Sequence, residues 1–91
     1  MKTTPTVRNM MSDSGTAVPN QFTIHTEEGV YFQSYDTIIA YRPYNGKTVI
    51  DENKWDYSQT TGKYRNRFLG EKMKETVVKI ESGVYELDNL N

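Results

Sequence analysis

The chain has no cysteine. Disulfides, thiolate metal sites, iron–sulfur clusters and cysteine nucleophiles are therefore excluded, and the absence fits a reducing compartment. Histidine occurs once, at His25. Long apolar runs are missing: the longest, Ile38-Ile39-Ala40-Tyr41, has four residues, against the ~18–20 that a membrane helix requires. The opening MKTTPTVRNMMSDSG lacks the apolar stretch of about seven or more residues that a secretory signal needs. Neither sign of charge is in excess, since 11 Lys and Arg against 12 Asp and Glu leave −1. A whole-chain field for nucleic acid, acidic substrates or membrane is thus absent. The glycines are isolated, and D-x-D-x-D-G, H-E-x-x-H and G-x-S-x-G do not occur. Phosphate loop, metal loop and nucleophile elbow lose their sequence basis. The expectation is a non-enzymatic cytoplasmic protein with no catalytic residue, no metal and no cofactor.

What is present is one domain's worth of chain, 91 residues, with only 35% hydrophobic content. That falls below the ~45–50% usual for soluble domains, so the core must be small. Seven Tyr, three Phe and one Trp nevertheless make 12% of the residues aromatic. Disordered segments are aromatic-poor, so the chain should fold.

Residues 1–19 carry few core formers and many Thr, Ser, Asn, Asp, Gly and Pro. They are predicted to be a flexible or partner-ordered N-terminal arm, with residues 20–91 as the single folded domain. From Gln21 the pattern alternates. Phe22-Thr23-Ile24-His25-Thr26 and Val30-Tyr31-Phe32-Gln33-Ser34-Tyr35 read as strands joined across Glu27-Glu28-Gly29. Residues 37–42 are β-branched and aromatic, and Asn45-Gly46 signals a tight type I′ hairpin returning through Lys47-Thr48-Val49-Ile50. Ser58 is a natural N-cap for a helix over 59–69, closed by Gly70. Met73, Val77 and Ile80 then recur at i, i+4 and i+7, predicting a second helix over 71–81 closed by Gly83. Val84 to Leu87 could add a last strand. The fold class that follows is α+β: a small antiparallel sheet of about four strands, two hairpins, packed by a C-terminal helical hairpin. Its expected core is Phe22, Ile24, Phe32, Ile38 and Val49 from the sheet, with Tyr64, Phe68, Val77 and Ile80 from the helices.

Two constellations stand out. Lys63-Tyr64-Arg65-Asn66-Arg67-Phe68 packs three cations and two aromatics into six residues. Read as a surface, Lys63, Tyr64, Arg65 and Arg67 would track phosphates and stack bases. Read as structure, they form an amphipathic helix with buried rings, Arg65 lying about 200° round the axis from Lys63. The second is a surplus of polar aromatics. Tyr31, Tyr35, Tyr41, Tyr44, Trp55 and Tyr57 exceed what so small a core can bury; Tyr and Trp suit protein interfaces, and Tyr31, Tyr35, Tyr44, Trp55 and Tyr57 are the expected contacts. Enzymatic combinations are weaker. Ser34, His25 and Asp36 can be drawn as a triad, and carboxylates pair at Glu27-Glu28 and Asp51-Glu52, but geometry, not composition, makes such sites.

Two segments, YFQSYDTIIA over 31–40 and WDYSQTTGKYRNRFL over 55–69, carry F-x-S-Y-x-x-x-I-A and S-x-T-T-x-K-x-x-x-x-F-L. Together they resemble a family of short bacteriophage-encoded proteins of uncharacterised function. Tyr64 stands where that pattern often has histidine. The resemblance implies a phage origin and the cytoplasm of the infected cell. It also implies a small protein that binds and blocks a host or anti-phage defence protein. A second copy of the chain is a further candidate partner.

Overall fold

The structure, a computed structural model, describes residues 4–91. The chain runs β1 (Thr6–Met11), β2 (Ala17–His25), β3 (Gly29–Ser34), β4 (Thr37–Pro43), β5 (Val49–Asp51), α1 (Gln59–Leu69), α2 (Met73–Glu81) and β6 (Glu86–Asp88). All six strands form one sheet in chain order. Neighbours are antiparallel from β1 to β5, and β6 joins β5 in parallel. The α+β class holds, with six strands in place of about four.

The larger sheet corrects the expected N-terminal arm. Within the described part of 1–19, residues 6–11 are strand β1, and β2 already begins at Ala17; residues 1–3 lie outside the described residues. The connection Asp13-Ser14-Gly15 is a three-residue hairpin loop. Ser12 N–H donates to the Thr16 carbonyl at 2.8 Å, and Gly15 takes φ 82, the left-handed residue such loops need. An edge strand requires only a ladder partner on one side, so it can be built from polar residues. Met10 alone of β1 is buried.

The pairing also sets the faces. His25 pairs with Val30, so Ile24 lies opposite Tyr31 and Phe22 opposite Gln33. Side chains opposite each other share a face. Phe22 and Ile24 therefore share a face with Tyr31, and Phe32 points the other way, so the expected grouping of these three in one core is wrong by one register step. In β4 the ladder passes from Phe32↔Ala40 to Gln33↔Ile38, leaving Ile39 as an extra bulged residue. The bulge puts two consecutive residues, Ile39 and Ala40, in the core and turns Ile38 to the opposite face. In β5 the core residue is Ile50, not Val49. The interior is Met10, Phe32, Ile39, Ala40, Ile50, Tyr64, Leu69 and Tyr85, with Trp55, Phe68 and Ile80 against it. Val77 is half-buried and Met73 is exposed.

The Asn45-Gly46 signal turns the chain, but in a loop over 44–48 rather than a two-residue turn. The tight two-residue turn falls instead at Tyr35-Asp36, because Ser34 pairs with Thr37. Tyr35 adopts φ 57 there, its N–H donating to the Asn20 carbonyl at 2.7 Å and its own carbonyl accepting from Gln33 Nε2 at 2.7 Å. Gly29 has a different constraint: a Cβ there would overlap the Arg42 carbonyl oxygen and lie 2.7 Å from Pro43 Cα.

Helix α1 begins and ends as its caps dictate, whereas α2 starts after Lys72 with no side-chain cap and ends at Ser82 rather than at Gly83. Ser58 Oγ accepts from Thr61 N–H at 3.1 Å, and Gly70 closes α1 at φ 70, its N–H reaching the Asn66 carbonyl. Thr61 Oγ1 also contacts Ser34 Oγ at 2.8 Å, tying α1 to β3 across a fully buried junction. The residues between the helices centre on Glu71. Its carboxylate accepts from Thr76 Oγ1 at 2.6 Å, Lys79 Nζ at 2.6 Å and Tyr85 OH at 2.8 Å. Burial alone would raise its pKa, but these three donors outweigh it and hold the carboxyl below its usual value. Burial and the bond to Glu71 push the Tyr85 phenol up.

Two outcomes follow. A carboxylate with a lowered folded pKa stabilises fully above its unfolded pKa and loses that contribution as pH falls through the folded value. Glu71→Gln should therefore cost about 1–3 kcal/mol at neutral pH, and its gap from wild type should close in urea titrations below about pH 4. Tyr35→Asn should stabilise the fold by about 0.5–1 kcal/mol in the same assay, because asparagine tolerates the left-handed region better than tyrosine.

Candidate functional site

The sheet has two unlike faces. Both α1 and the core lie on the face of Phe32: its ring stacks on Phe68 at 5.7 Å, and Arg42 Nη1 donates to the Phe68 carbonyl at 3.0 Å. Among the described residues, both helices pack on the Phe32 side, through Tyr64, Phe68, Leu69 and Ile80, and neither on the other face. There the register lines up Val7, Ile24, Tyr31, Tyr41 and Val49 as one row running straight across β1 to β5. A second row, Asn9, Phe22, Gln33 and Ile38, lies beside it. None of these nine side chains is charged.

The row is ordered at its centre. Tyr31 and Tyr41 stack with ring centroids 4.2 Å apart and planes 18° from parallel, the offset arrangement aromatic pairs favour. Burial raises the Tyr41 phenol pKa, and Tyr31, Glu28 and Tyr44 raise it further. Tyr44 N–H donates to the Glu28 carbonyl at 2.9 Å, so the β4–β5 loop is pinned to the β2–β3 turn. Tyr41, Pro43 and Tyr44 with Glu27 and Glu28 form a shallow notch at that end of the row.

The five aromatics singled out from the sequence fall in four places. Tyr31 is on the uncovered face and Tyr44 is 63% exposed at its rim. Tyr35 is exposed at the opposite end of β3, in the turn. Tyr57 is exposed in the β5–α1 connection, under Lys54 Nζ. Trp55 packs against the core with the Arg65 guanidinium 5.0 Å over its ring, so it is a wall of the interior and not a contact residue. The residues missed were Val7, Phe22, Ile24, Ile38 and Val49; Tyr41 belongs to the surplus of rings but not to the five expected contacts. Pairing the hairpin outward from Glu27-Glu28 would have placed Ile24 beside Tyr31.

The basic helix resolves differently from its phosphate-tracking reading. Arg65 is 1% exposed. Its Nη1 donates to the Trp55 carbonyl at 2.7 Å and to Asp56 Oδ1 at 3.2 Å, and its Nη2 donates to Asn66 Oδ1 at 3.0 Å. Gly62 packs beside that guanidinium, and a Cβ there would meet Nη2 at an ordinary contact distance of 3.6 Å. Arg67 donates to the Met11 carbonyl and pairs with Asp13, clamping α1 to the β1–β2 loop. Tyr64 is buried, with Lys63 and Arg67 over its ring at 5.5 and 5.3 Å. Lys63 is thus the cation of the three without an ion pair among the described residues. The expected surface of Lys63, Tyr64, Arg65 and Arg67 is largely internal cement.

The triad drawn from Ser34, His25 and Asp36 is not assembled. Ser34 pairs with Gln21 and His25 with Val30, four residues along β2, or about 13 Å. Ser34 is bonded to Thr61, and His25 Nε2 sits 3.1 Å from Thr23 Oγ1. Asp51 is buried and accepts from Asn53 N–H, Lys54 N–H, Leu90 N–H and Asn91 Nδ2. It anchors the C-terminal residues and has no free oxygen for a second carboxylate to work with. Among the described residues no group of three His, Asp or Glu is placed to hold a metal ion, and no helix is long and apolar enough to cross a membrane.

Comparison with known proteins places the chain in sequence space without adding a reaction or a ligand. No curated protein and no solved structure matches it. A family of unknown function, DUF8033, matches residues 6–83, from the first strand to the end of the second helix. The chain belongs to the DUF8033 family.

Proposed function

We propose that the protein is a non-enzymatic protein-binding module whose contact surface is the uncovered sheet face. The observation that carries this reading is the row Val7, Ile24, Tyr31, Tyr41 and Val49, apolar and aromatic across five strands, with Val7 exposed and the other four half-buried. Contiguous apolar patches mark interaction sites. The stacked Tyr31 and Tyr41 offer large rigid area with polar tips, the side-chain type that dominates binding energy at interfaces. Tyr44 and Tyr35, exposed at the two ends, supply the polar rim. The resemblance to short bacteriophage proteins makes a host or anti-phage defence protein the partner we propose, met in the cytoplasm of the infected cell. The nucleic-acid reading has less support, because Arg65 and Arg67 are already committed within the fold.

The test uses immobilised full-length chain and a lysate of the host cell. A specific protein should be retained, and Tyr31→Ala/Tyr41→Ala should reduce its retention at least tenfold with the circular dichroism spectrum preserved. Lys63→Ala should leave it unchanged. Retention that ignores the tyrosine substitutions would contradict the reading. So would tight, salt-sensitive binding of an oligonucleotide in fluorescence anisotropy that Lys63→Ala abolishes.

A further inference from the structure

We propose that Asn45 is a self-modification site: the Gly46 backbone nitrogen closes on the Asn45 side-chain amide, and the loop over 44–48 converts with time into an acidic one.

The chemistry needs water and nothing else from outside the chain. The Gly46 amide nitrogen gives up its proton and attacks Asn45 Cγ. A C–N bond forms, closing a succinimide ring, and the side-chain nitrogen takes up a proton and leaves as ammonia. Water then adds to either ring carbonyl and breaks its bond to the ring nitrogen. One opening gives aspartate. The other gives isoaspartate, in which the backbone runs through the former side-chain carbonyl. No atom is oxidised or reduced. Asparagine is among the thermolabile residues, and three features single out this one.

The first is a free nucleophile. The chain is pinned on either side of the pair. Tyr44 N–H donates to the Glu28 carbonyl at 2.9 Å, Lys47 Nζ donates to the Gly83 carbonyl at 2.9 Å, and the Thr48 carbonyl accepts from Glu86 N–H at 3.0 Å. Between these anchors Asn45 and Gly46 are exposed, and neither makes a hydrogen bond among the described residues. An N–H group that no carbonyl holds is open to deprotonation and attack.

The second is room. Gly46 has no side chain to crowd the ring. Even a Cβ there would meet only Pro43, at 3.5 Å from Cγ and 4.0 Å from Cβ.

The third is contrast. After Asn53 the Lys54 N–H donates to Asp51 Oδ2 at 2.9 Å, and after Asn89 the Leu90 N–H donates to Asp51 Oδ1 at 2.8 Å, so both nucleophiles are held. Asn66 lies inside α1 with its Oδ1 on Arg65 Nη2 at 3.0 Å. Asn9 Nδ2 is held by the Val18 carbonyl at 3.0 Å, Asn20 precedes the fully buried Gln21, and Asn91 bonds Ile38 through both its amide atoms.

The product changes one place. Asn45 lines the notch with Glu27, Glu28, Tyr41, Pro43 and Tyr44. Conversion sets a third carboxylate there and makes the formal net charge of −1 one unit more negative. Isoaspartate also lengthens the backbone between the anchors at Tyr44 and Lys47. The rim of the tyrosine face is altered while the row itself is untouched. The reaction is the chain's own, so it stands or falls independently of protein binding.

The experiment incubates the purified full chain at physiological temperature and pH, folded in one sample and unfolded by guanidinium in another. Peptide mapping by mass spectrometry with electron-transfer fragmentation follows each asparagine. In the folded chain Asn45 should convert at least tenfold faster than Asn53, Asn66 or Asn89, and within about threefold of its own rate in guanidinium. Both aspartate and isoaspartate should appear, with heavy-oxygen water labelling the new carboxyl group. Isoelectric focusing of the folded sample should show a growing acidic band. Asn45→Gln, whose larger ring closes far more slowly, should lose that band while keeping the circular dichroism spectrum. Asn45 intact in the folded chain overturns the proposal, whether or not it reacts in guanidinium. Aspartate without isoaspartate does so too, since direct hydrolysis forms no ring. An acidic band that persists in Asn45→Gln places the reaction elsewhere and overturns it as well.

Discussion

A parallel strand pair cannot be joined by a tight turn, and that constraint organises this molecule. β6 lies parallel to β5, so the chain between them must leave the sheet, cross it and return. The crossover is α1 and α2, lying on the face of Phe32, Ala40 and Ile50. Among the described residues this is the one crossover, and both of its helices pack on that one face. The four strands before β5 are a meander with short turns, and such turns leave nothing to lay over the second face. The uncovered tyrosine face is therefore a consequence of topology, and it persists whatever the surface side chains are.

Holding one thin layer of helix on a six-stranded sheet requires firm attachments, and polar groups provide many of them. Ser34 meets Thr61, Glu71 gathers Thr76, Lys79 and Tyr85, and Arg65 fastens α1 to the chain at Trp55 and Asp56. A buried Arg left without its carboxylate and carbonyl partners is costly, about 3–5 kcal/mol by analogy with broken buried pairs. The same residues that look like a nucleic-acid patch in the sequence are the fastenings of a small core, which has few apolar side chains to spare.

Local chemistry was legible in the sequence where one residue decides it. Ser58 and Gly70 bounded α1 correctly, because capping and a left-handed C-terminal residue act within one turn of helix. The turn at Glu27-Glu28 also stands, although Gly29 belongs to strand β3 and pairs with Pro43. What depends on pairing was not legible. Ile24 is as apolar as Phe32, and only the register across the hairpin separates their faces. The bulge at Ile39 inverts the alternation of β4 by one residue, which no periodicity forecasts. Strand β1 was hidden because an edge strand needs few core residues, although Asp13-Ser14-Gly15 was a readable hairpin loop. The candidate site was half visible: the surplus of rings was clear from composition, but Trp55 turned inward and Tyr41 proved central.

The claim on which the account rests is that the chain covers one sheet face and leaves the other to a partner. Paramagnetic relaxation by a small soluble probe measures this most directly, in a dilute sample of the full chain with isoleucine methyls and tyrosine rings observed by NMR. The account requires greater broadening at Ile38, Tyr31 and Tyr41 than at Ile39 and Ile50. Equal protection of both sets would mean that the second face is covered as fully as the first, and would contradict it.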